Sequence, residues 1–183
     1  ERFSDESRGY SEQAAAVLAQ PERLAYSVFD TRIAAIARQF EDFRNIEAAG
    51  ALIEAPDLPA LARRLGLPEA ALAATAAAID EARRTGTADA QGRLWAGVMP
   101  LSAPYCAVKI TGALFHTQGG LGIDGQARVM AEDGTPFPNL FAVGGAAAGV
   151  SGPEASGYLS GNGLLTAVAF GYLAGEAAST LAL

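Results

Sequence analysis

"LFHTQGGLGID", residues 114–124, sets the only histidine of a 183-residue chain, His116, just ahead of the consecutive glycines Gly119 and Gly120. A lone histidine is ordinarily structural and hydrogen-bonded to backbone, so what matters is why the backbone beside it is stripped of side chains. The overlapping segment "GLGIDG" (120–125) formally matches the dinucleotide-binding pattern G-x-G-x-x-G. That fingerprint opens a helix and is followed about 20 positions later by an acidic residue. Here "QARVMA" follows, which is strand-like, and no such acid comes later. A glycine-rich hairpin is therefore expected.

Toward the C-terminus, Asp124-Gly125 and Asp133-Gly134 are turn dipeptides joining short strands, and "LFAV" (140–143) is an apolar strand running into glycine. The last element, "SGNGLLTAVAFGYLAGEAAST" (160–180), is predicted to be a helix entered through glycines. At "GNGLL" (161–165) two readings stand. Bare backbone there lets another molecule approach the exposed first-turn N–H groups, where the helix dipole favours an anion or an electron-rich carbonyl. Alternatively it is a turn that lets helix and sheet pack closely. Tyr158, alone, reads as an ordinary half-buried tyrosine.

Toward the N-terminus the chain reads mostly as helix. Ser11–Gln20 is rich in helix formers, and "SVFD" (27–30) reads as a short strand. Asp30 or Thr31 then caps one helix over "DTRIAAIARQFEDFRN", with Ile33, Ile36, Ala37 and Phe40 on one face. Asp57 is the N-cap of "DLPALARRLG", Leu61 and Leu65 its apolar stripe and Gly66 its stop. A longer helix is expected from Pro68 to Arg84. "LARRLGLPEAALAATAAAI" has the look of a helix-turn-helix, but Arg63, Arg64, Arg83 and Arg84 are offset by Asp57, Glu69, Asp80 and Glu81. A groove-reading helix needs a basic face, so packed helices explain it better. From Gly92 on, "RLWAGVMPL" and "YCAVKITGALF" read as strands. The resulting fold class is α+β, a helical part followed by an α/β part, with the boundary near residues 100–113.

Composition narrows the chemistry. Half the residues are hydrophobic, which sustains a sizeable core, and the net charge of −7 disfavours nucleic acid as a partner. One cysteine, Cys106, excludes an internal disulfide, and with one histidine no nitrogen- or sulfur-ligated metal site is expected. The apolar run from Gly163 to Gly175 is too short to span a bilayer, and no signal-peptide pattern opens the chain. A soluble, cytoplasmic protein is expected. The missing initiator methionine reads as a piece of a longer chain.

Taken in order, "APYCAVKITGALFHTQGGLGIDGQARVMAEDGTPFPNLFAVGG" (103–145) and "YLSGNGLLTAVAFGYLAGEAA" (158–178) resemble the C-terminal part of the fumarate reductase/succinate dehydrogenase-type flavoproteins. The family's T-x-G-G falls on Thr117, Gly119 and Gly120. Its "V…DG.PIPGL(Y/F)A.G" falls on Val129, Asp133, Gly134, Pro136, Pro138, Leu140, Phe141, Ala142 and Gly144, and its "FG..AG" on Phe170, Gly171, Ala174 and Gly175. "ERFSDE", "YSVFD" and "ADAQGR" resemble the family's "RF.nE", "y.iFD" and "D.dFGR", so essentially the whole chain is covered.

The resemblance implies a capping (substrate) domain portion over residues 1–113. It implies an incomplete α/β FAD-binding domain segment over 114–183, lacking the N-terminal βαβ unit that grips the pyrophosphate. FAD is the implied cofactor. His116, Thr117, Gly119, Gly120, Gly144, Gly145, Asn162, Gly163 and Leu164 are its implied contacts, with Gly163 and Leu164 at the flavin N1/C2=O edge. Departures bear on the substrate. Phe115 and Tyr158 stand where fumarate reductases carry a histidine and an arginine. Tyr10, with Arg8 two residues away, aligns with their proton-delivering arginine, and Gly145 replaces an acid that binds the ribityl chain. Two carboxylate-binding cations are thus missing, which disfavours a simple fumarate reductase. The aromatics resemble those of the 3-ketosteroid Δ1-dehydrogenase and tricarballylate dehydrogenase-like branches.

The expectation is a fragment of an FAD-dependent oxidoreductase acting on a C–C bond next to a carbonyl. Hydride would exchange with flavin N5 and a proton with the neighbouring carbon. Phe115, Tyr158 and Gly161 are candidates for binding a small carbonyl-containing substrate, and Tyr158 and Tyr10 or Arg8 for catalysis. The missing N-terminal segment is the expected protein partner. The alternative is a non-catalytic module that binds no flavin on its own.

Overall fold

The computed structural model describes residues 1–114, 117–152 and 154–181. The chain is α+β and divides into two compact units, Glu1–Gly112 and Ala113–Leu183.

The first unit runs α1 (Tyr10–Leu18), β1 (Ala25–Asp30), α2 (Thr31–Ala37), α3 (Glu41–Ala48), β2 (Leu52–Ala55), α4 (Leu58–Leu65), α5 (Glu69–Thr85) and β3 (Tyr105–Ile110). Its strands form one antiparallel sheet in the order β1-β3-β2, with Phe29 opposite Cys106 and Ile53 opposite Ala107. The central strand β3 is buried on both faces because successive side chains alternate. Cys106 and Val108 join Phe29 and Ala34, with Phe43 packed against them. Ala107 points the other way, onto Ala55, Leu61 and Leu65.

Two of the three strands fall where strands were expected, β1 over "SVFD" and β3 over "YCAVKI", and β2 (Leu52–Ala55) is the one the sequence did not announce. "RLWAGVMPL" is not a strand; it passes as turns and irregular chain up to the strand that "YCAVKI" forms. Its alternation reflects one buried residue, Trp95, rather than a ladder partner.

The predicted caps of α4 are in place: the Asp57 Oδ1 accepts from the Ala60 N–H at 2.7 Å, and Gly66 ends the helix at φ +67°. The buried Asp30 likewise caps α2, accepting from the Ile33 N–H at 3.1 Å. The single helix expected after it is broken between Ala37 and Glu41. Arg38 grips Glu47 with two nitrogens (3.0 and 2.7 Å), and the Arg44 guanidinium donates to the Arg38 carbonyl at 2.8 Å. The bend brings Phe43 edge-on to Phe29, their ring centroids 6.2 Å apart. It leaves the expected core stripe outside: Ile36 is 58% and Phe40 65% exposed. Tertiary packing of one phenylalanine overrides the helical period.

In the second unit, β4 (Arg128–Met130) and β5 (Pro136–Phe141) form an antiparallel hairpin, followed by α6 (Asn162–Ser179). Asp133 closes the hairpin by accepting from the Thr135 N–H and hydroxyl (2.9 and 2.6 Å), with Gly134 at φ +85°. "GLGIDG" is a hairpin arm and not a dinucleotide turn, because Ile123 bridges Val129 antiparallel. Val129, Ala142 and Ala147 form the small core, against which Ile123 and Phe170 of α6 pack.

Leu61 is the largest completely buried side chain of the first unit. Leu61→Ala should lower unfolding free energy by about 2–5 kcal/mol. In urea denaturation Leu94→Ala, at an exposed position, should change it by less than about 0.5 kcal/mol.

Candidate functional site

The second unit brings three of the glycine-rich stretches together. Residues 118–121 are bonded to 146–149: Leu121 makes an isolated parallel bridge to Ala147, its N–H donating to Ala146 O and its carbonyl accepting from the Ala148 N–H, and the Gly149 N–H donates to Gln118 O, each at 2.9 Å. The Asn162 carboxamide then donates to the Gln118 Oε1 at 3.1 Å, which ties the first residue of α6 to the same strip. The Thr166 hydroxyl donates back to the Asn162 carbonyl at 2.8 Å.

The glycines serve different ends. A Cβ on Gly120 would sit 2.5 Å from the carbonyl oxygen of Ala147, so this bare backbone is taken up by the protein's own chain. At Gly144 a Cβ would press on Ala167 of α6 at 3.4 Å, at a φ of +55°. At Gly119, Gly145, Gly161 and Gly163 a side chain would meet nothing within 4 Å. Those four are open to a visitor.

α6 begins at Gly161, φ +80°, and no side chain caps its first turn. The first-turn N–H groups of a helix lack intrahelical acceptors, and its dipole places roughly half a positive charge there. Leu164, one residue into this turn past Gly163, is 79% exposed. Asn162, in contrast, is 2% exposed. Its carboxamide is spent on Gln118, and among the described residues its Oδ1 is buried without a partner. It shapes the tip from inside, where a direct cofactor contact was expected.

Other expected site residues are placed separately. Thr117 is exposed beside Gln118. Tyr158 is half-buried and leaves a short loop closed by the Gly152 N–H donating to Gly157 O at 3.0 Å. Phe115 and His116 lie outside the described residues. Arg8 and Tyr10 belong to the first unit, exposed at the start of α1. Gln118, Gly149, Gly152 and Gly157 escaped the sequence reading. A Cβ on Gly149 would come 3.0 Å from the Gln118 Oε1, and one on Gly157 would come 2.7 Å from the Gly152 Cα. Their only signal was the density of glycine between 144 and 163.

Among the described residues no cluster of His, Cys, Asp and Glu could hold a metal, and no helix is long and apolar enough to cross a membrane.

A family model described as FAD binding domain matches residues 1–164. The chain belongs to that family, whose cofactor is FAD. A probable fumarate reductase of Shewanella frigidimarina is 30% identical over 182 residues, covering 100% of this chain and 30% of the relative. The 4-oxocyclohex-2-ene-1-carboxylate 5-dehydrogenase of Sinomonas cyclohexanicum is 36% identical over 149 residues, 73% of this chain and 25% of the relative. Among solved structures, the open conformation of a flavocytochrome c3 fumarate reductase superposes with a TM-score of 0.66 at 27% identity, covering 97% of this chain and 30% of that one. The 3-ketosteroid Δ1-dehydrogenase of Sterolibacterium denitrificans shares the fold, with a TM-score of 0.68 at 22% identity, 99% of this chain and 37% of that one. The chain therefore spans about a third or less of these proteins' lengths.

The site fits the ring of such a cofactor better than its phosphates. Bare glycines and uncapped amides present neutral donors to a flat carbonyl-bearing edge, whereas the one G-x-G-x-x-G match is locked in a hairpin with Gly120 against Ala147.

The two adjacent glycines give a sharp contrast. Gly120→Ala should destabilise the chain by about 3 kcal/mol, since backbone must move. Gly119→Ala should change stability by under about 0.5 kcal/mol. Equal melting shifts for the two would refute the distinction.

Proposed function

We propose that the chain is part of an FAD-dependent oxidoreductase that oxidises or reduces a C–C bond next to a carbonyl. Residues 1–113 belong to its capping, substrate-covering domain and 114–183 to the returning segment of its flavin domain. The observation that carries this reading is the uncapped tip of α6 beside four glycines whose missing side chains leave open space. Family membership supplies the cofactor.

FAD, when bound, supplies two-electron exchange with the substrate carbon. The chain's own part is to bind and polarise. The amides of Gly163 and Leu164 would hold the carbonyl edge of the ring, and their fixed dipoles would favour the reduced state. Gly119 and Gly145 keep the approach clear. By the resemblance, Tyr158 and Gly161 are the candidates for holding the substrate carbonyl, with Phe115 a further substrate candidate. The carbonyl acidifies the neighbouring C–H, and Tyr10 or Arg8 carries the proton. The oxo-ring acid named in the 36%-identical relative is a substrate of this class. By the resemblance, His116 is a further candidate for the ring.

A second reading, a module that binds no flavin alone, is favoured by one observation: the hairpin at 120–125 offers the pyrophosphate no helix N-terminus.

The deciding experiment is the visible flavin spectrum of the purified protein. A proline is tolerated in the first turn of a helix and removes an N–H. Gly163→Pro should therefore lower the flavin midpoint potential by about 30 mV, the equivalent of one hydrogen bond to the reduced state. Gly163→Ala, which keeps the N–H, should leave it unchanged. A colourless protein after addition of FAD would decide for the second reading, and an unmoved potential in flavin-loaded Gly163→Pro would overturn the role given to the Gly163 amide.

A further inference from the structure

Two segments 87 residues apart are clasped together in the first unit, and the proposed reaction has not used them. Asp89, with a side chain only 6% exposed, is the acceptor at the centre. It takes the Trp95 Nε1–H at 2.6 Å, the backbone N–H groups of Gln91 and Arg93 at 2.9 and 3.1 Å, and the Arg2 guanidinium. Arg2 and Arg93 lie over the Trp95 ring at 5.0 and 4.0 Å from its centroid, so the indole is stacked by two cations. Both arginines also reach Glu6: Arg2 through two nitrogens at 2.7 Å each and Arg93 at 2.8 Å. The Gln91 carboxamide donates to the Arg2 carbonyl at 3.1 Å.

This arrangement exceeds what holding a chain end to a loop requires. A single surface ion pair contributes little to stability. Here two charges of each sign and one aromatic ring share a single cluster, most of it shielded from water. Past Glu6 the chain carries the two candidates for proton traffic, Arg8 and Tyr10. On their far side Gln13 of α1 reaches back, accepting from the Ser4 hydroxyl at 2.8 Å and donating to the Asp5 carbonyl at 2.7 Å. Residues 5–10 are therefore suspended between two fixed points, while Arg8 and Tyr10 themselves remain exposed. A proton-transfer group displaced by about an ångström loses about a hundredfold in rate. That is the reason to hold such a segment at both ends.

We infer that Asp89 and Trp95 are positioning residues whose clasp on Arg2, and through Arg2 and Arg93 on Glu6, fixes the segment that carries Arg8 and leads into α1 at Tyr10. As an account of proton transfer, it rests on the function proposed above. As an account of how the segment is held, it stands on the contacts alone. Burial pushes the Asp89 carboxyl up, but the bonds from Trp95, Arg2, Arg93 and Gln91 outweigh it and leave it at about 2, below the usual 3.8. A depressed carboxylate stabilises the folded form above its ordinary value and loses that contribution as pH falls toward its folded one. The Asp89 contribution is therefore present above its ordinary value and is lost as pH falls toward about 2, and the Glu6 carboxyl, which burial pushes up, is held below its ordinary value by the same arginines.

The test is hydrogen exchange on the chain as it stands, comparing Asp89→Asn and Trp95→Phe with the parent. Trp95→Phe keeps an aromatic ring under the arginines and loses the indole donor together with one of the two fused rings. Amides between Asp5 and Gln13 should exchange at least tenfold faster in Asp89→Asn and by a smaller factor in Trp95→Phe, with β3 and α4 as protected as before. Unchanged protection at 5–13 would overturn the inference, and so would loss of protection spread evenly over the unit. In flavin-loaded protein, anaerobic bleaching by 4-oxocyclohex-2-ene-1-carboxylate should slow at least tenfold in Asp89→Asn, with the half-saturating concentration within twofold. Bleaching at the parental rate would overturn the positioning role. A parent that carries no flavin, or that this acid does not bleach, counts against the proposed function, and the exchange result then decides the clasp.

Discussion

The second unit depends on one close approach, the backbone of Ala147 lying where a side chain on residue 120 would be. With that space vacant, residues 118–121 lie flat along 146–149 and exchange three backbone hydrogen bonds. Because they do, the Gln118 carboxamide is held at the depth where Asn162 meets it, and the start of α6 is fixed relative to the strip. Gly149 extends the same constraint, since a methyl group there would crowd the Gln118 oxygen. The site is thus a consequence of backbone packing: the glycines that build it are closed off, and those left open lie at its margin.

Much of the fold was readable where a local rule decides it. Asp57, Leu61, Leu65 and Gly66 specify α4 through a cap, a stripe and a stop that all point the same way, and the structure obeys each. The Asp133-Gly134 turn was readable for the same reason. The failures came where distant partners decide. Nothing near residues 38–40 announces a helix break, for there is neither proline nor glycine; the cause is Phe43 meeting Phe29 across the sheet and Arg38 meeting Glu47. The strand β2 was missed in part because its ladder partner β3 comes last in the unit, after α5, and joins β1 and β2 into one sheet only from a distance.

The site was readable as a region and not residue by residue. Gly119 and Gly120 are indistinguishable in sequence, yet one faces open space and the other faces Ala147. The motif match pointed equally at Asn162, Gly163 and Leu164, whereas burial separates the first from the other two. The clasp around Asp89 shows the same limit. The segments "ERFSDE" and "ADAQGR" each stood out, but that Arg2 and Glu6 of one embrace Asp89 and Arg93 of the other is a matter of three-dimensional chemistry.

Charge explains why a ring edge suits the tip of α6 better than a permanently charged ligand. Residues 113–183 contain one cation, Arg128, against five carboxylates: Asp124, Glu132, Asp133, Glu154 and Glu176. Arg128 is itself engaged by Asp124 at 2.8 Å. A phosphate or dicarboxylate arriving here would exchange its hydration for a helix dipole worth about 0.3–1 kcal/mol at a surface, with no free cation from this unit. A flavin ring arrives neutral and becomes anionic only on reduction, so it forgoes little hydration at entry and meets the dipole when charge develops. Under the proposed function, an uncapped tip with no cation of its own would favour the reduced ring selectively, because its attraction rises only as the electrons arrive. The departures at Phe115 and Tyr158 work in the same direction. Aromatic groups in place of cations suit a substrate held by its carbonyl better than one held by two carboxylates, so the chemistry of the tip and that of the proposed substrate wall are matched.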